Sequence, residues 1–180
     1  SAGTDTATKD VVAPVPAIDS VLPSPTNGGV TVTWHGNENG GYSVRVGGTD
    51  CATGTVIASG TYTTQPNTVS TVIPAGDLAN GVNTIRVCMT DLAGNDGSTV
   101  GSVTKDTTPP AVTVTSVVRD PSTGNVTVRW SATESGNYTL RAGGSDCSTG
   151  QVVASGAYTS ANVVDVVVPP QWIGVGETAL

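Results

Sequence analysis

Apolar and polar residues alternate with a period of two along much of this chain. Val30-Thr31-Val32-Thr33-Trp34 and Tyr42-Ser43-Val44-Arg45-Val46 are the clearest runs. In an extended backbone that period puts all the apolar side chains on one face. Each run therefore predicts a strand with one buried side and one wet side. Strands are predicted over residues 17–22, 30–34, 42–46, 56–58, 69–73, 84–89 and 99–104, with a turn at 37–41. Gly, Asn and Asp punctuate the intervals. Seven strands spaced by about 8–12 residues form the pattern of an antiparallel sandwich.

The pattern also repeats. Shifted by 96 positions, Trp34 falls on Trp130, Tyr42 on Tyr138, Arg45 on Arg141, Cys51 on Cys147 and Tyr62 on Tyr158. Gly47-Gly48-Thr49-Asp50-Cys51-Ala52-Thr53-Gly54 falls on Gly143-Gly144-Ser145-Asp146-Cys147-Ser148-Thr149-Gly150. From Val30 to Gly60, 18 of 31 positions are identical without a gap, a density that low-complexity composition does not produce. Thr8-Lys9-Asp10 precedes Val11-Val12-Ala13-Pro14 as Thr104-Lys105-Asp106 precedes Thr107-Thr108-Pro109-Pro110. These Pro-bearing stretches read as interdomain linkers, because Pro cannot join a central strand and stiffens the chain. The predicted organisation is the last strand of a preceding repeat plus linker at 1–10, a complete repeat at 11–106, and a second repeat at 107–180 that lacks its last strands. Residues 173–180 resemble 78–85 after a one-residue deletion.

Several of these residues resemble known families. Trp34 late in the second strand, Tyr42 opening the third, Leu78 before Gly81, and Ile85-Arg86-Val87 are similar to fibronectin type III domains. Asp91-Leu92-Ala93-Gly94-Asn95, followed by Lys105-Asp106-Thr107-Thr108-Pro109-Pro110, resembles the bacterial Ig-like repeats of large surface proteins and adhesins. The resemblance implies an all-β chain of tandem Ig-like or fibronectin III-like sandwiches. The chain departs from antibody domains: the second strand carries no Cys and the third no Trp. The sixth strand has no Tyr, so the usual tyrosine corner is not expected there. No Arg-Gly-Asp sequence supports integrin binding.

Composition narrows the function classes. Gly numbers 23 and Pro 11, Phe is absent, and charged residues are only 12%. Formal net charge is −7, with seven Lys and Arg together. No basic stripe can form, so no nucleic-acid partner is expected. No apolar run approaches the roughly 20 residues needed to cross a bilayer, so no membrane insertion is expected in this segment. Ser1-Ala2-Gly3-Thr4-Asp5 has no signal-peptide character, and the chain reads as a mature segment or a window from a longer protein.

Three cysteines offer chemistry. Cys51 lies in a loop and Cys88 near a strand end, both within the complete repeat. A Cys51–Cys88 disulfide would contribute roughly 4 kcal/mol in the chain-entropy model. The alternative is that all are reduced and buried. Cys147 repeats Cys51, and its partner would lie beyond Leu180. Asp10, Asp91, Asn95, Asp96 and Asp106 gather at predicted domain ends, where carboxylates could supply several of the six to eight oxygens that calcium requires. Asp and Asn are equally ordinary turn formers, and Asp50 and Asp146 share that ambiguity. Trp172 is the one aromatic outside the repeat-matched positions and the candidate platform for sugar binding. Asn125-Val126-Thr127 and Asn137-Tyr138-Thr139 match the N-glycosylation sequon. A hydrolase site would have to use His35, whose repeat counterpart is Ser131, so no enzyme is expected.

The expectation is a structural segment (stalk, spacer or fibre) of an extracellular bacterial surface protein or adhesin, with neighbouring repeats of the same chain as its partners. One alternative is an extracellular filament subunit, completed head-to-tail by strand exchange with other copies. Another is a glycan- or protein-binding module.

Overall fold

The computed structural model describes residues 9–63, 67–160 and 162–173. The expected last strand of a preceding repeat within residues 1–10 and the expected 173–180 correspondence lie almost wholly outside these residues. The described chain is built from strands, with two short 3-10 turns at Ala75–Asp77 and Pro170–Trp172. It divides into two compact units, Ser1–Thr107 and Thr108–Leu180.

Unit 1 contains β1 (Ala17–Leu22), β2 (Val30–His35), β3 (Gly40–Val46), β4 (Thr55–Tyr62), β5 (Val69–Ile73), β6 (Gly81–Asp91) and β7 (Asp96–Lys105). One sheet has the order β1-β2-β5 and the other β4-β3-β6-β7, with all neighbours antiparallel. On β2, Val30, Val32 and Trp34 are buried while the residues between them are half-buried. On β6, Ile85, Val87 and Met89 are buried from the second sheet, with Arg86 between the first two half-buried and the disulfide-bonded Cys88 buried as well. These inner faces share one core with Val44, Val46, Tyr62, Ile73 and Val103. Removing each such aliphatic side chain from water contributes roughly 1.5–3 kcal/mol. The period of two is therefore the direct cause of the two-sheet arrangement.

Tyr62 closes one end of this core. It packs 5.3 Å from the Trp34 ring, and its hydroxyl donates to the carbonyls of Gly36 at 3.0 Å and Asn67 at 2.8 Å. A buried tyrosine thus ties two loops, although it stands at the end of β4 rather than on the sixth strand.

Unit 2 contains β8 (Val112–Arg119), β9 (Val126–Ala132), β10 (Gly136–Ala142), β11 (Gln151–Tyr158) and β12 (Val164–Val168). Its sheets are β12-β9-β8 and β10-β11. Each pairing has its counterpart 95 or 96 residues earlier. Even the bulges correspond: Ile18/Ser20 matches Val114/Ser116, and Val44/Arg45 matches Leu140/Arg141. Trp130 stacks with Tyr138 and Tyr158 as Trp34 does with Tyr42 and Tyr62. The unit 2 core is smaller, comprising Val126, Val128, Trp130, Tyr158, Val166 and Val168. No counterpart of β6 or β7 occurs among the described residues.

Candidate functional site

The loop between β3 and β4 is shaped by a tight backbone turn. Gly54 has φ +82°, and a Cβ there would lie 2.5 Å from the Gly47 carbonyl oxygen, so only glycine fits. Asp50 organises the loop from within. Its Oδ1 accepts from the amides of Ala52 and Thr53, both at 2.9 Å. These bonds, led by the Thr53 hydroxyl, hold its carboxyl below the ordinary carboxylate range. The loop presents Cys51 to β6, where it forms a disulfide with Cys88 across a Cα–Cα distance of 5.9 Å. Arg86 adds a second tie, donating to the Thr49 carbonyl at 2.9 Å. A groove beside the disulfide is lined by Gly41, Ser43, Arg45, Asp50, Ala52 and Thr90.

Cys147 occupies the same loop in unit 2, where it is free and exposed. Asp146 accepts from the amides of Ser148 at 2.8 Å and Thr149 at 2.9 Å. The Ser148 hydroxyl, the Ser148 amide and then the Thr149 hydroxyl hold the Asp146 carboxyl down at about 2. Asp50 and Asp146 are therefore loop organisers.

The second candidate lies at the end of unit 1 where residues 10–15 meet the loops after β2 and β6. Asp91 is buried and its carboxylate accepts from the amides of Ala93 and Asn95, both at 2.8 Å. The Asn95 side-chain amide donates to Asp91 Oδ2 at 2.8 Å and to the Val12 carbonyl at 3.3 Å. These bonds, with the Asn95 side chain the strongest, lower the Asp91 pKa. They also explain Asp91 and Asn95 as a turn that anchors the segment before β1. Pro14 passes so close to Gly97 that a Cβ there would overlap its carbonyl oxygen.

Beside this turn, ligand oxygens of Asp10, Glu38 and Asp91 lie within 4.8 Å of one another. Glu38 Oε1 is buried without a hydrogen-bond partner among the described residues. Three carboxylates this close repel one another, and an all-oxygen set suits a hard cation such as calcium. Asp10, Glu38 and Asp91 are thus the residues that could hold one. Of the five residues singled out in the sequence, Asp10 and Asp91 belong to this group and Asn95 braces it. Asp96 lies outside it, at the start of β7, where it accepts from the Thr90 hydroxyl at 2.6 Å. Asp106 also lies outside, its amide donating to the Thr26 carbonyl at 2.8 Å. Glu38 was missed in the sequence, although its identity with Glu134 across the repeat was a usable signal.

Trp172 is the last residue of the second 3-10 turn and is 40% exposed, while its neighbour Ile173 packs on the unit 2 core. His35 Nδ1 lies 2.8 Å from Asp19 Oδ1 on the β1–β2 sheet. Comparisons of the chain with protein-family models, with curated proteins and with solved structures found no match.

Proposed function

We propose that this chain is a spacer segment of an extracellular bacterial surface protein, built from tandem Ig-like sandwich modules. The observation that carries the reading is the correspondence of the two units in strand order, bulge positions and aromatic clusters. Modules that each bury their own core stack into a quasi-one-dimensional array, whose mechanical work is to hold distance. The Cys51–Cys88 disulfide supports an oxidising compartment, since such bonds persist outside the reducing cytosol. It joins the β3–β4 loop to a central strand, so tension on the chain ends cannot extend the residues between them.

Force spectroscopy on the chain held in an array tests this directly. Oxidised unit 1 should resist force and release a short contour length. Reduction should lengthen that release by the 37-residue separation of the cysteines, about 3.3–3.6 Å for each residue. Unfolding of the oxidised unit without measurable resistance would sink the spacer reading.

A further inference from the structure

We propose that the groove beside the Cys51–Cys88 disulfide is a binding site for a neutral saccharide, formed on the outer face of the β4-β3-β6-β7 sheet of unit 1. Three observations on that face carry the inference, and none of them depends on the spacer reading.

The first is a glycine that the fold does not require. Gly41 stands inside β3 and is paired on both sides, with Thr61 of β4 and with Thr90 of β6. Its backbone has no positive φ, and a Cβ there would meet no atom within 4 Å. Neither turn geometry nor crowding therefore excludes a side chain. Val44 and Val46 point into the core, so the alternation turns Gly41 outward with Ser43 and Arg45. Glycine inside a strand weakens it, and it often marks a place where a ligand comes close to the backbone. Here it leaves the floor of the groove open. At the matching position of unit 2, β10 carries Asn137, so this strand accommodates a side chain.

The second is a wall that is set before any ligand arrives. The loop between β3 and β4 is tied to β6 by the disulfide and by Arg86, which donates to the Thr49 carbonyl at 2.9 Å. Arg45 holds the far side of the loop, its Nη1 donating to the carbonyls of Thr53 at 3.3 Å and Gly54 at 3.4 Å. The groove so walled has a volume of about 690 Å³, within the range of sites that take small molecules. Strands form its floor and a crosslink fixes its wall, so binding has little left to order.

The third is the pattern of donors and acceptors. The Ser43 hydroxyl accepts from Arg45 Nε at 3.3 Å, which leaves its own proton for a ligand. The Thr90 hydroxyl gives its proton to Asp96 at 2.6 Å, which leaves its oxygen as an acceptor. Asp50 and Asp96 set two carboxylates against the Arg45 guanidinium in the lining, so an anionic ligand is disfavoured. A lone ammonium would leave the Ser43 proton and the guanidinium unmatched. A sugar hydroxyl both donates and accepts, and neighbouring hydroxyls on one ring supply both roles side by side. The disulfide and Ala52 give the ring an apolar edge to rest against.

The test titrates the whole 180-residue chain, isotope-labelled for NMR, with maltose, cellobiose and lactose at millimolar concentrations. At least one of the three should shift the amides of Gly41, Ser43, Ala52 and Thr90 saturably. Gly41→Asn, which copies the unit 2 residue, should weaken that binding roughly tenfold or more and leave the urea midpoint of unit 1 unchanged. Ser43→Ala keeps the open floor, removes the donor, and should weaken binding as well. No saturable shift with any of the three sugars, undiminished binding by either variant, or stronger binding of sialyllactose or lysine amide than of every neutral sugar would each overturn the proposal.

Discussion

Asp50 and Asp146 each accept the two amides that follow in the loop, and hydroxyl donors add to these bonds to hold both carboxyls below the ordinary carboxylate range. A carboxyl whose pKa falls on folding favours the folded loop above its unfolded value near 3.9, and that preference is lost as pH falls through the folded value. For Asp146 the folded value is about 2. The amide resonances of Ser148 and Thr149 should therefore titrate with a midpoint near 2 by NMR. A midpoint at the ordinary aspartate value would mean that the loop is not held by this carboxylate. Cys88 makes a larger contribution. Cys88→Ser opens a crosslink of 37 residues and should destabilise unit 1 by about 4 kcal/mol in the chain-entropy model, read from urea denaturation. The unit 2 transition should not move.

At the scale of elements, strand existence was legible and strand length was less so. β1 and β5 coincide with the ranges expected from alternation, and β2 and β3 begin or end within two residues of them. β4 was expected over 56–58 and runs Thr55–Tyr62. Its second half, Ser59-Gly60-Thr61, has no apolar alternation because Gly60 lies under the Tyr42 ring, where a Cβ would sit 3.1 Å from Cε1. The ring takes the space a strand side chain would fill, and only the folded arrangement shows it. Gly101, within the strand expected over 99–104, likewise leaves room for neighbours, here Ile18 and Val21. Gly101→Val would drive a branched side chain into Ile18 and Val21 and should cost about 1–3 kcal/mol of unit 1 stability by thermal or chemical unfolding. A neutral result would mean that β7 does not press on β1. The end-of-unit carboxylates were half legible. Asp10, Asp91 and Asn95 stood out as acidic and turn residues, whereas Glu38 enters only because the turn after β2 folds back onto them. Tyr62 was recognised as a repeat-matched aromatic, but its ties to Gly36 and Asn67 depend on loop closure that alternation does not encode.

At the scale of the molecule, the carboxylate group and the unequal units carry the remaining expectations. Calcium should raise the melting temperature of unit 1, because a cation relieves the repulsion among Asp10, Glu38 and Asp91 and binds only the folded form. Glu38→Gln should remove most of that rise, and a chelator should reverse it in the parent chain. If the melting temperature does not respond to calcium, these carboxylates serve the turns alone.

The most direct measurement is hydrogen exchange resolved along the whole oxidised chain. Unit 1 buries its core between sheets of three and four strands, whereas the described residues of unit 2 form sheets of three and two strands, with β10 paired on one side and Val114 and Val117 half-exposed. Amides of β2, β3 and β6 should therefore exchange together and slowest. Amides of β9 and β12 should exchange faster than their unit 1 counterparts, and those of β10 fastest among the paired strands. Equal protection of the two units, or slow exchange along β10, would contradict the smaller core and the one-sided β10 pairing of unit 2 among the described residues.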